Sequence, residues 1–157
     1  MRASLLLVAT LLAACRGSAQ PAAAPSPGTG TASLTRLITA QLERSAADWN
    51  RGNLDGFMSD YARESTTTYV DGHRARAGFE YIRGVYAPRF APGVRRDSLH
   101  FEEIVVRPLS PSLLLVTARF ILQRGSEISA SGPFTLVMEE RPQGWKILHD
   151  HSSSDPR

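Results

Sequence analysis

Two histidines stand two residues apart near the end of the chain, at His149 and His151. In a strand, residues so spaced share a face with Cα atoms about 6.6 Å apart. Such imidazoles could bind a transition metal given a third ligand, relay a proton near neutral pH, or finish the strand in structural hydrogen bonds. Thr67, Tyr69 and Asp71 form a second same-face set. Asp71 would serve as a base if burial raised its pKa. The Gly72 that follows it points instead to a turn that ends the strand. Arg119 interrupts the apolar run of residues 116–122. It either faces solvent, pairs with an acid across the sheet, or holds an anionic ligand. Asp71, His149 and His151 are therefore the candidates for catalysis. Trp49, Tyr69, Asp71, Arg119, His149 and His151 are the candidates for a ligand pocket. His73 and His100 stand alone. There is no phosphate-binding loop, metal-binding helix signature or nucleophile elbow, so no metal or other cofactor is expected.

The elements that must position these side chains are legible from periodicity. Residues 34–50 carry Leu34, Leu37, Ile38, Leu42, Ala46 and Trp49 at helical spacing, with Ser33 as N-cap and Gly52 as stop. Asn53 can cap a short second helix with Leu54, Phe57, Met58 and Tyr61 inward. Trp49, Tyr61 and Trp145 read as packing residues. The β-branched stretch 66–70 reads as a strand ended by Asp71-Gly72. Phe79, Ile82, Val85 and Tyr86 give a third helix, closed by Pro88 and Pro92. Residues 98–107, 113–124, 127–140 and 145–152 read as strands. The connections at 108–111, 124–126 and 142–144 are short, which makes the neighbours antiparallel.

The chain is long enough, at 157 residues, for one ordinary domain. Its formal net charge is +3, nearly all of the positive charge is arginine, and Lys146 is the only lysine. The arginines are scattered rather than gathered in a stripe with aromatics, which argues against nucleic-acid binding. Cys15 is the only cysteine, so the domain has no internal disulfide. A basic start, an apolar run over residues 3–12 and small residues at 13–14 describe a secretory signal too short to span a bilayer. Leu12-Ala13-Ala14-Cys15 resembles the bacterial lipobox, in which the cysteine is lipidated and becomes the mature N-terminus. The expectation is a signal peptide over 1–14, a lipidated Cys15 with a Pro/Gly-rich disordered tether over 15–32, and a folded domain over 33–154. The resemblance implies a cell-envelope lipoprotein on the periplasmic face or outer membrane, held to the membrane through its lipid alone.

Gly52-Asn53-Leu54-Asp55-Gly56-Phe57 followed by Tyr61-Ala62 resembles the helix junction of the nuclear transport factor 2-like superfamily. Residues 131–137 and 144–147 resemble its last hairpin, and His149-Asp150-His151-Ser152-Ser153 is similar to the SnoaL-like branch. The resemblance implies an α+β fold: a cone-shaped roll of three helices packed on a strongly curved antiparallel sheet, enclosing a pocket. It also implies a homodimer formed through the outer face of the sheet. Ketosteroid isomerases of the superfamily place a base aspartate and a tyrosine donor at positions that fall, without gaps, on Tyr69 and Ser45. That mechanism does not carry over, and whether the chain is an enzyme stays open. The expected function is binding of a small hydrophobic or mixed-polarity molecule. The alternatives are an isomerase-, cyclase- or hydrolase-like pocket enzyme using Asp71 or His149/His151, and a dimeric interaction module without ligand.

Overall fold

A computed structural model describes residues 27–72 and 74–156. The signal, Cys15, the first part of the tether and His73 lie outside the described residues.

Helix α1 spans Pro27–Arg51 and buries Ile38, Leu42, Ser45, Ala46 and Trp49 along one stripe. It begins ahead of Ser33, which therefore lies within the helix rather than capping it; the Ser33 hydroxyl accepts a hydrogen bond from Arg36. Residues 27–32, expected in the tether, are helical. Leu37, expected inward, is exposed. The C-terminus is closed by Gly52 at φ +78, with Asn53 N donating to Asp48 O (2.8 Å) and Gly52 N to Trp49 O (3.0 Å). This left-handed closure satisfies carbonyls that the helix leaves open. Asn53 then caps α2 (Leu54–Met58) by accepting from Gly56 N at 3.0 Å. Helix α3 spans Phe79–Tyr86 and runs into a 3-10 turn at Ala87–Phe90.

The strands are β1 (Thr68–Asp71), β2 (Arg74–Ala77), β3 (Ser98–Ser110), β4 (Leu113–Arg124), β5 (Glu127–Arg141) and β6 (Gly144–Ser152). They form one sheet in the order β2-β1-β6-β5-β4-β3. All pairs are antiparallel except β1 with β6, which is parallel. A parallel pair needs a long crossover, and here it runs through α3 and the strands between. Strand β2 is not legible in the sequence: Arg74-Ala75-Arg76-Ala77 is exposed throughout and carries no apolar alternation. As an edge strand it is protected from further pairing by its arginines. Strand β3, at the other edge, runs through Pro108 to Ser110, so the expected turn starts later, at Pro111. Edge strands tolerate proline because the missing N–H faces no partner.

The sheet curls around the helices. Register shifts in β3 between Glu102 and Val105, in the β4–β5 pair at Leu122/Gln123, and in the β5–β6 pair at Val137/Met138 mark its bends; bulges increase local twist. Glu103 takes a positive φ of 55 at the first of these. At Gly132 a Cβ would lie 1.8 Å from Ser153 O, so only glycine lets the chain after β6 cross there. The concave face and the helices share one core containing Ile38, Leu42, Met58, Ile82, Leu114, Val116 and Met138.

Candidate functional site

Inside the cone lies a cavity of about 550 Å³. Trp49, Phe57, Phe101, Phe120, Phe134 and Leu136 belong to its apolar wall, and Tyr61, Tyr69, Tyr86, Ser45, Ser152 and Asp150 are among its polar groups. Asp71, Gly72 and Arg89 also line it, and Asp71 and Arg89 are both exposed.

Asp150 is the centre of the polar set. It is only 4% exposed, and its position is set by a bulge. Val137 pairs with His149, yet Met138 pairs with Ile147, so Leu148 is an extra residue in β6. An extra residue reverses which face later side chains take. Trp145 and Ile147 point into the core, and beyond the bulge Asp150 points inward too. Tyr61 is brought to it by the segment after α2, which binds β6 directly: Ala62 N donates to Ile147 O (2.9 Å) and Ile147 N to Asp60 O (2.8 Å). The Tyr61 hydroxyl donates to Asp150 Oδ2 at 2.6 Å, and the Ser152 hydroxyl donates to Oδ1 at 2.9 Å. Tyr61 has one hydroxyl hydrogen, given to Asp150. Across the 3.3 Å contact between the Tyr61 and Tyr86 hydroxyls, Tyr86 is therefore the donor. The Tyr86 ring also packs edge-on against that of Tyr69, with centroids 5.8 Å apart.

Burial pushes the Asp150 carboxyl above the usual carboxylate range; the hydrogen bonds from Tyr61 and Ser152 and the charges of His149 and His151 oppose this. Burial, then the Asp150 charge, pushes the Tyr61 and Tyr86 phenols well above theirs, and the same causes raise Tyr69. The other buried aspartates each have an arginine: Asp48 pairs with Arg51, and Asp60 with Arg44. Among the described residues no arginine or lysine forms an ion pair with Asp150.

The expected pocket residues divide. Trp49, Tyr69 and Asp71 line the cavity. Trp49 also belongs to the packed core, with its indole N–H donating to Asp97 O at 2.9 Å. Asp71 stands at the turn into β2, opposite Arg74, exposed as the turn reading implies. His149 and His151 do not line the cavity. The bulge at Leu148 turns both to the outer face, where His149 Nδ1 lies 2.6 Å from Thr68 Oγ1 and His151 is exposed. Arg119 is likewise on the outer face, paired with Asp155, which also accepts from Ser131 at 2.6 Å. That is the acid-pairing option for Arg119, and it leaves this guanidinium out of reach of a ligand in the cone. His100 lies 3.2 Å from Glu102. Among the described residues no group of three or more His, Cys, Asp or Glu is placed to hold a metal.

Sequence reasoning misses Asp150, Tyr86 and the cavity role of Tyr61. Strict alternation from Trp145 and Ile147 puts the histidines inward and the aspartate outward. The adjacent apolar pair Ile147-Leu148 is the one local sign that alternation breaks.

The family model of the SnoaL-like domain matches residues 38–156. The chain belongs to the SnoaL-like domain family. Solved structures agree. A nuclear transport factor 2-like protein from Shewanella oneidensis is 29% identical with a TM-score of 0.68, covering 76% of this chain and 98% of its own. A domain with a cystatin-like fold from Nostoc punctiforme is 23% identical with a TM-score of 0.62, covering 82% and 80%. A nuclear transport factor 2-like superfamily protein from Salmonella enterica is 14% identical with a TM-score of 0.61, covering 81% and 94%. None of the curated proteins matches the chain. This SnoaL-like domain has the fold class that its sequence implied and is a small-pocket domain of that superfamily.

Proposed function

We propose that the SnoaL-like domain binds a small molecule with a mainly apolar body and one polar group, seated in the cone with the polar group at Asp150. One observation carries this reading: among the described residues, an aromatic-walled cavity of about 550 Å³ has a single buried carboxyl with tyrosine hydroxyls beside it. Apolar concavities with a few convergent polar groups are the usual form of small-molecule sites. Lipidation at Cys15 would hold this binding domain at the envelope membrane, and pairing through the outer sheet face would present two cavities per dimer. Native mass spectrometry of the purified protein should show a retained small molecule and a dimeric mass. Leu136→Trp, which fills the cavity, should lose the molecule. A protein that retains nothing and is not thermally stabilised by any of a panel of small amphiphiles would overturn the binding reading.

A pocket enzyme is a second reading, favoured by the Asp150–Tyr61 pair rather than by Asp71 or the histidines. A carboxyl group of raised pKa in an apolar site is suited to moving a proton to or from bound carbon or oxygen. Exchange of acidic C–H protons of a bound ketone with solvent deuterium, lost in Asp150→Asn, would support it; equal exchange in wild type and variant would refute it.

A further inference from the structure

Resting on the binding reading above, we infer that the polar group of the ligand is a protonated amine, so the cavity is a site for an amphiphilic organic cation. Two independent features point there. The first is charge. Asp48 and Asp60 are buried with arginine partners, whereas Asp150 faces the cavity with none among the described residues. Buried carboxylates are stable when matched by a cation. Asp150 accepts one hydroxyl on each oxygen, and a carboxylate offers about four acceptor positions, so acceptor capacity is left for the N–H groups of a ligand. Asp71 and Arg89, one charge of each sign, are exposed and screened by solvent, so the charge that decides selectivity is the buried one. The second feature is the wall. Trp49, Phe57, Tyr69, Tyr86, Phe101 and Phe134 offer aromatic surface around the same space, and ring faces attract ammonium groups electrostatically. An anion would meet Asp150 with repulsion. A neutral ligand would leave the carboxylate without a counter-charge.

Three probes with one apolar body separate the cases: 4-phenylbutylamine, 4-phenylbutan-1-ol and 4-phenylbutyrate. Calorimetric titration of the whole protein at about pH 8 should rank them amine, alcohol, carboxylate. The amine should bind at least tenfold more tightly than the alcohol, equivalent to about 1.4 kcal/mol. Amine binding should tighten as pH rises through the Asp150 titration, because the cation selects the ionised form, while alcohol binding should not. The groups that bear on that titration are Tyr61 from the segment after α2, Tyr69 on β1, Tyr86 on α3, Ser152 beside Asp150, and His149 and His151 on the opposite face of β6. Asp71 and Arg89 lie at the mouth. Asp150→Asn should remove the tenfold preference for the amine over the alcohol, and a circular dichroism spectrum like that of wild type would show the fold intact. If the alcohol or the carboxylate matches the amine in the wild-type protein, the cation inference is overturned and the cavity remains a binding site. If none of the three binds, the binding reading itself fails.

Discussion

Replacing Tyr61 with Phe removes one hydroxyl and leaves the ring packed. In the folded protein that hydroxyl donates to Asp150 Oδ2 at 2.6 Å inside a buried site. A hydrogen bond to a charged group contributes about 1.5–3 kcal/mol, against about 0.5–1.5 kcal/mol for a neutral pair. The loss should therefore depend on the charge of Asp150. Burial raises the Asp150 pKa above its ordinary 3.8, and the Tyr61 hydrogen bond holds it down. A raised pKa in the folded state means that the stability contribution of Asp150 is fully present below 3.8 and is lost as pH climbs through the folded value. Tyr61→Phe raises that folded value further, and each added unit costs about 1.4 kcal/mol at high pH. Urea denaturation should show Tyr61→Phe destabilised by about 1 kcal/mol at about pH 4 and by about 2–3 kcal/mol at about pH 8. In an Asp150→Asn background the same change should cost about 1 kcal/mol at both ends, because no charge remains to be stabilised. A penalty that is the same at both pH values, or that persists in full in the Asp150→Asn background, would refute the coupling between the two side chains.

Gly132→Ala should destabilise by about 1–3 kcal/mol, the range for forced overpacking, since the new methyl meets Ser153 O. It should also speed amide exchange at Ser153 and Asp155, whose N–H groups bind Pro133 O and Ser131 O; unchanged exchange and stability would refute the close approach. His149→Ala and His151→Ala should leave the affinity for 4-phenylbutan-1-ol within about twofold, because neither ring lines the cavity. A larger change in calorimetry would return the histidines to the site. Cys15→Ser should release the protein from the membrane fraction or leave the precursor uncut, and membrane partitioning like wild type would defeat the lipoprotein reading.

How far the site is legible in the sequence depends on the rule that applies at each residue. Trp49 is legible because a helical stripe needs only local regularity, and Tyr69 because the resemblance places it, without gaps, at a pocket-facing position. Asp71 carries both its options in the sequence, and the turn to β2 decides between them. His149, His151 and Asp150 are inverted by one extra residue, because a period of two has no tolerance for an insertion. Arg119 has three options by sequence, and the residue that resolves it, Asp155, lies past the last strand.

By itself the sequence determined the element types, the antiparallel hairpins, the α+β class and the superfamily. The element types, the hairpins and the α+β class follow from side-chain periodicity and turn chemistry, which are local and repeat over many residues; the superfamily follows from the motif resemblance at residues 52–62, 131–137, 144–147 and 149–153. Tertiary structure alone decided the parallel β1–β6 pairing, the edge strand β2, the crossing at Gly132 and the inward turn of Asp150. Each of these depends on contacts between segments far apart in the chain. The Asp150–Tyr61 hydrogen bond joins residues separated by most of the domain. Its strength comes from exclusion of water, which exists only once helices and sheet have closed around it.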